Sequence, residues 1–416
     1  MFNDLVTVKS VLIIGKTWPE PLTTGAGVRM MQIIDFLTRN DYEINFASAA
    51  SKSKYSANLE EQKVKTYPIK VNDSGFNEVL KKINPQIVIF DRYHTEEQFS
   101  WRVDEVFPSV LKILDSEDLH FLRQARGNLI KKNKFPYSHN DVFKESLSLK
   151  ETYRELNAMY RCDLTLVISK FEIDFLENSY NFPKKNLIHF PMLPKKSYDG
   201  SLSFEERKDF VFIGNFNHKP NVDAVLELKK VFPNIKNGCK DSELHIYGAY
   251  MPENIANLHN PKNGIYIKGW VENLTETLVK YRLMLAPLRF GAGIKCKILE
   301  SLNVKTPVIS TEIGFEGICE NENAPGYSGP VNKIWIEEAI KLYNDKNSWE
   351  EKSKLSNLAL QNLKWDEIST IHRIEHFKKN LFENRELNIT QNMLSLSNNQ
   401  TYKYLSKYIE LKNKKG

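Results

Sequence analysis

The sequence predicts an α/β protein made of two Rossmann-like domains, each with a parallel sheet. Three observations carry this. Short apolar runs alternate with segments of helical periodicity along most of the 416 residues. Many of these runs end on a glycine, where a strand gives way to a turn. The alternation stops over residues 191–208, where Pro, Gly and charge replace periodicity, and then it resumes.

Taken in order, Val8–Ile14 reads as a buried strand closed by Gly15. A Pro- and Thr-rich loop, Thr17 to Thr24, leads to a helix from about Gly27 to Arg39, with Val28, Met31, Ile33, Ile34 and Leu37 on one face. Further strands are expected at Glu43–Ala47, Ile87–Phe90, Val110–Leu114, Leu164–Ser169 and Leu187–Phe190, with helices between them. Beyond the linker, strands are expected at Phe210–Ile213, Leu244–Tyr247, Ile265–Lys268, Leu283–Pro287 and Pro307–Ser310, and helices at Asn221–Val231 and Lys297–Leu302. Helical segments continue to about residue 380. The expected division is a first domain over 1–195, a second over 206–375 whose last helix, Trp365 to Phe377, crosses back, and a basic tail over 381–416. A short amphipathic helix is expected at Tyr402–Leu411.

Composition narrows the function. The chain is 41% hydrophobic and 26% charged, ordinary for a globular protein with two cores. No run approaches 18 apolar residues and no leader is recognisable, so a cytoplasmic protein is expected. Cys162, Cys239, Cys296 and Cys319 are scattered, which argues against a disulfide framework or a cysteine zinc site. The net charge is +6, and residues 381–416 supply half of it, with six Lys or Arg against three Glu. That bias suits an anionic ligand or an anionic membrane surface. It is too weak and too dispersed for nucleic acid.

Ligands of open parallel sheets bind beyond the carboxyl ends of the strands, so the loops there hold the candidates. Ala286-Pro-Leu-Arg-Phe-Gly-Ala-Gly-Ile-Lys-Cys-Lys-Ile-Leu-Glu300 reads as strand, glycine loop and helix. Gly291 and Gly293 let backbone approach a ligand, free N–H groups at a helix start favour an anion, and Lys295 adds a positive charge. The result is either a phosphate cradle or a tight strand–helix turn. Glu300 is either a charge–dipole residue or an acceptor for ribose hydroxyls. Gly25-Ala-Gly27 after the first strand is a phosphate or acceptor loop, or simply flexible; Arg29 supplies charge there or pairs on the surface. His120 is a sugar-binding or proton-transferring group, or a structural histidine. Asp115, Glu117 and Asp118 are metal ligands or helix caps. His372 and His376 lack the zinc pattern.

These strings resemble the GT-B glycosyltransferases related to glycosyltransferase family 4, over roughly residues 8–375. The match runs through Phe212–Ala224, Ile246-Tyr-Gly248, Lys268–Leu274, Pro287–Glu300, Thr306–Thr311 and Gly314-Phe-Glu-Gly317, with weaker support from Gly25-Ala-Gly27, Thr95-Glu-Glu-Gln-Phe, Asp115–Arg123 and Val167-Ile-Ser169. The resemblance implies two Rossmann-like domains facing across a cleft. It implies a nucleotide-sugar donor held by Gly214, Asn215, Lys219, Gly248, Val271, Gly291, Gly293, Ile294, Lys295 and Glu300, with His120 near the transferred sugar and Lys295 on the diphosphate. Two positions depart from the family: Ala292 stands where the first Glu of its paired-Glu motif is expected, and Asn215 where a phosphate-neutralising Arg is expected, with His218 and Lys219 nearby. The implied reaction is glycosyl transfer without a metal or other cofactor, usually with retention of configuration. The acceptor would be a carbohydrate, lipid-linked or protein group, as in polysaccharide or glycoconjugate biosynthesis. A nucleotide-sugar epimerase and a non-catalytic partner or scaffold protein are the alternatives. The tail, through Tyr404, Leu405, Tyr408 and Ile409, is either a weak membrane or partner dock or a frayed end.

Overall fold

The computed structural model describes residues 9–415 apart from 195–197, 199, 201 and 364. Val8 of the expected first strand, part of the expected linker and Gly416 lie outside the described residues. Packing groups the chain into two units: Met1–Leu119, Lys150–Phe190 and Trp365–Gly416 form unit 1, and His120–Leu149 with Pro191–Lys364 form unit 2. This grouping differs from the linear division expected of the sequence. Residues 120–149 go with unit 2, contrary to that division; the last helix, expected to cross back, does group with unit 1, and the tail goes with it.

Unit 1 holds a seven-stranded parallel sheet: β1 (Lys9–Gly15), β2 (Tyr42–Ser48), β3 (Lys65–Pro68), β4 (Ile87–Asp91), β5 (Leu111–Asp115), β6 (Leu164–Val167) and β7 (Leu187–His189), in the order β3-β2-β1-β4-β5-β6-β7. Inner strands such as β1 and β4 are nearly continuous apolar runs because both faces are covered, as parallel sheets require; Val11, Leu12, Ile13 and Ile14 of β1 are wholly buried. Helix Gly25–Arg39 lays Ile33, Ile34 and Leu37 into this core, and Ile374, Phe377 and Leu381 from the end of the chain complete it. The strand order reverses beside β1, the topological switch point where open α/β sheets place ligands.

Unit 2 repeats the plan with β8 (Lys208–Ile213), β9 (Leu244–Tyr247), β10 (Ile265–Gly269), β11 (Tyr281–Ala286), β12 (Val308–Ser310) and β13 (Gly326–Ser328), all parallel, in the order β10-β9-β8-β11-β12-β13. Counted from β8, that is again the Rossmann order. Phe210, Phe212, Leu283, Ile298 and Trp335 fill its core, and the buried Trp335 indole donates to Ser310 O at 3.0 Å.

Two helices run longer than expected. Helix Asn221–Val231 is the middle of a longer helix, Lys219–Gly238, which accommodates Pro233. The short amphipathic helix expected at Tyr402–Leu411 is part of one 27-residue helix, Ile389–Lys415. No described helix is long and apolar enough to cross a membrane.

Candidate active site

The carboxyl ends of β8, β9 and β10 are drawn together by backbone hydrogen bonds. Gly214 N donates to Tyr247 O at 3.1 Å, and Gly248 N donates to Gly269 O at 2.8 Å. A Cβ on Gly248 would stand 2.0 Å from Gly214 O, so this approach requires glycine. Just past Gly214, the Asn215 carbonyl accepts from Asn221 Nδ2 at 2.6 Å, and the Asn215 side chain accepts from Asn217 N at 2.9 Å. Lys219 is exposed at the start of helix Lys219–Gly238, and Val271 is half-buried in the loop after β10.

After β11 the chain forms the glycine loop. Gly291, Gly293 and Ile294 are buried, and Gly293 takes the left-handed conformation with φ +63. Lys295 occupies the N-cap position of helix Cys296–Asn303 and is 9% exposed. Its Nζ donates to Gly293 O at 2.8 Å and lies 3.6 Å from Glu316 Oε1. Glu316 comes from the Gly314-Phe-Glu-Gly317 segment after β12. It receives both prongs of the Arg126 guanidinium, at 2.9 and 2.6 Å, and the same Arg126 Nη1 donates to Gly291 O at 2.8 Å. Burial would raise the Glu316 carboxyl, but Arg126 and Lys295 hold it below its ordinary value. Two further contacts seat the loop. The Tyr137 hydroxyl donates to Arg289 O at 2.8 Å, and the Arg289 guanidinium is paired through Nε and Nη2 with Asp223. Glu300 lies one turn into the helix and is half-buried.

Arg126 had no signal in the sequence, because it lies 165 residues from the glycine it holds. It belongs to helix His120–Lys131, whose first residue is His120, half-exposed. One helix therefore carries both the candidate sugar histidine and a strut of the glycine loop. Lys297 was also missed as a site residue. Its Nζ donates to Asn221 Oδ1 and lies 4.2 Å from the centre of the Phe212 ring. Desolvation pushes its pKa down to about 7.

In unit 1, two members of the expected phosphate or acceptor loop, Gly27 and Arg29, are engaged in packing. Gly25 opens the helix, and Gly27 N donates to the capping Thr24 Oγ1 at 2.9 Å. A Cβ on Gly27 would meet the Glu20 backbone at 2.3 Å. Arg29 is 0% exposed; its Nε and Nη2 donate to Asp115 Oδ1 at 2.8 and 2.7 Å, and its Nη1 donates to Phe190 O at 2.6 Å. It neither reaches solvent nor pairs on the surface. Asp115 is thus engaged by a guanidinium, while Glu117, at φ +64, has its carboxyl raised to about 7 by burial, partly offset by Arg92. Among the described residues, the group spaced to hold a metal ion is Asp209, Glu243 and His245, not Asp115, Glu117 and Asp118. That trio lies at the amino-terminal ends of β8 and β9, away from the glycine loop, and His245 Nε2 is paired with Glu243 Oε2 at 2.8 Å.

Residues 207–345 match the family model described as glycosyl transferases group 1. No curated protein matches the chain. Among solved structures, a variant of S. aureus TarM in complex with fondaparinux, alpha-GlcNAc-glycerol and UDP is similar at 12% identity and TM-score 0.62, over 89% of this chain and 100% of that one. Sucrose-phosphate synthase from Thermosynechococcus elongatus gives 12% identity and TM-score 0.60, over 90% and 99%. Anabaena HepE in complex with UDP-glucose gives 9% identity and TM-score 0.59, over 89% and 99%. These likenesses are of fold: two Rossmann-like units in one chain.

Proposed function

We propose, from the match of residues 207–345 to the glycosyl transferases group 1 and the GT-B fold of the solved structures the chain resembles, that this chain is a glycosyltransferase whose unit 2 holds a nucleoside-diphosphate sugar, and that the sugar is passed to a carbohydrate, lipid-linked or protein acceptor. The observation that carries the reading is the glycine loop held by Arg126, Glu316 and Lys295 at the start of helix Cys296–Asn303. Two cations and one carboxylate leave a net positive charge there, beside backbone N–H groups at a helix start. Such an array stabilises a leaving diphosphate without rearranging during the reaction. Glu300 is assigned to the ribose and His120 to the transferred sugar; the family resemblance supports both.

The finer reading follows the same support. Transfer proceeds with retention, and the fixed cations do the work a divalent metal would otherwise do, so activity survives EDTA. TarM and HepE, solved with UDP or UDP-glucose, make UDP-sugars the first donors to try. We place the enzyme in the cytoplasm. The outward face of helix Ile389–Lys415 lies against an anionic lipid surface: Ile389, Met393, Leu396, Tyr404, Tyr408 and Leu411 are exposed, and five lysines between 403 and 415 accompany a single acid, Glu410.

The test is thermal unfolding with UDP, GDP, ADP and CDP. A bound nucleotide at about 100 times its dissociation constant adds roughly 2.7 kcal/mol. A flat response to all four overturns the donor reading. With a donor identified, the anomeric configuration of the product tests retention.

A further inference from the structure

Lys295 and Lys297 stand two residues apart on the same strand–loop–helix segment, yet they are balanced differently. Lys295 has an anion inside the protein, Glu316. Lys297 has none: among the described residues its Nζ meets the neutral Asn221 amide oxygen and the face of Phe212, and no carboxylate pairs with it. Enclosing an ammonium without a counter-ion is costly, and proteins seldom do it away from a site that uses the charge. Lys297 as a whole is half-buried, between the exposed Lys219 and the buried Lys295.

Its direction is informative. Phe212 belongs to β8, and Asn221 to the helix that follows; Asn221 also donates to the carbonyl of Asn215. Lys297 therefore reaches from the helix after β11 to the carboxyl end of β8, where Gly214 and Asn215 stand. At that end the chain carries Asn215, a neutral residue, and Lys219 is out in solvent. The loop after β8 thus lacks an enclosed cation, and Lys297 supplies one from the neighbouring strand's helix.

We propose that Lys297 is the principal cation for the donor's diphosphate, an ion pair completed only when the ligand supplies the anion. This rests on the donor-site reading above. Lys295, already paired, holds the glycine loop in shape and adds to the positive field. Without ligand, the Asn221 amide and the Phe212 ring hold the Lys297 side chain in place.

The experiment starts from whichever of UDP, GDP, ADP and CDP binds the wild-type chain most tightly. That diphosphate and its unphosphorylated nucleoside are titrated calorimetrically into wild type, Lys297→Met, Lys297→Gln and Lys297→Arg, each confirmed folded by circular dichroism. The Met and Gln variants should lose about ten- to hundredfold in diphosphate affinity, the scale of a lost charged hydrogen bond, and keep their nucleoside affinity. Lys297→Arg should recover most of the loss, which a merely structural lysine would not require. Unchanged diphosphate affinity in the folded Met or Gln variant overturns the assignment of Lys297 while the donor reading stands. Equal losses for nucleoside and diphosphate overturn it as well, because the residue would then be shaping the site as a whole. Failure of all four nucleotides to bind wild type overturns the donor reading itself.

Discussion

Arg126 and Lys295 more than offset the burial that would raise the Glu316 carboxyl. Its pKa is lower in the folded chain than in the unfolded one. The stability this contributes is in full force above the unfolded value, about 4.3, and is lost as pH falls through the lower folded value. Glu316→Gln should cost about 3–5 kcal/mol in denaturant unfolding at pH 7, the range for breaking a buried pair, and the gap to wild type should narrow only below about pH 4.3. A gap that instead narrows as pH rises would contradict the pairing. Lys295 and Glu300 separate by kinetics. Lys295→Ala releases the Gly293 carbonyl and, on the proposed donor reading, removes a charge that matters most as the diphosphate departs, so turnover should fall by on the order of a hundredfold. On the proposed assignment Glu300 grips a ribose that does not change in the reaction, so Glu300→Gln should raise the donor dissociation constant about ten- to hundredfold with little change in turnover once saturated. Normal turnover in the first variant with normal affinity in the second would remove both assignments.

Helix Ile389–Lys415 shows why some elements are legible in a sequence and others are not. Strands such as β1 announce themselves because both faces of a parallel sheet are covered, leaving one unbroken apolar run. Edge strands β3, Lys-Thr-Tyr-Pro, and β13, Gly-Tyr-Ser, have no such run and were missed. The last helix misleads for the opposite reason: its inward face is polar. Gln391 Nε2 donates to Asp163 Oδ1 at 3.0 Å, the Tyr402 hydroxyl to Glu97 Oε1 at 2.9 Å, and Glu410 takes Arg102 at 3.2 Å and the Ser74 hydroxyl at 2.6 Å. Hydrophobic periodicity therefore marks the side that faces solvent. Likewise the glycine loop could be read locally, but Arg126 could not, since nothing local ties it to Gly291. Two outcomes are expected of this helix. Ending the chain at residue 387 should destabilise unit 1 measurably in thermal unfolding, because Arg102, Glu97 and Asp163 lose the hydrogen-bond partners this helix supplies. Replacing Tyr404, Tyr408 and Leu411 by Ser leaves those anchors intact; it should abolish cosedimentation with vesicles containing anionic phosphatidylserine while leaving stability and soluble-substrate activity unchanged. If wild type ignores such vesicles and the substitutions instead change a sedimentation-derived oligomeric state, the face pairs copies of the chain rather than meeting lipid.

At the scale of the whole molecule, the chain passes from one unit to the other four times. Neither unit is a continuous stretch of sequence, which bears on any attempt to isolate the donor-binding part. A cut in the Pro- and Gly-rich stretch near residue 200 looks natural from the sequence. It would deprive the first fragment of Ile374, Phe377 and Leu381, which lie in the unit 1 core, and the second of residues 120–149. The second loss is the more telling, because Arg126 supplies both the bond to Gly291 O and the two-pronged pair with Glu316. Without Arg126, the buried Glu316 keeps only Lys295, and the loop carbonyl loses its donor; without Tyr137, the Arg289 carbonyl loses its donor too. A fragment of residues 191–364 should therefore unfold at lower temperature than the intact chain and bind nucleoside diphosphate at least tenfold more weakly, the effect of about 1.4 kcal/mol of lost preorganisation. Joining residues 120–149 ahead of 191–364 through a flexible linker should restore both properties, since it returns Arg126 and Tyr137 to the glycine loop. Calorimetric titration of the three proteins, intact, short and rejoined, decides the matter. Full affinity in the short fragment would mean that helix His120–Lys131 is incidental to the site, and Arg126 with it.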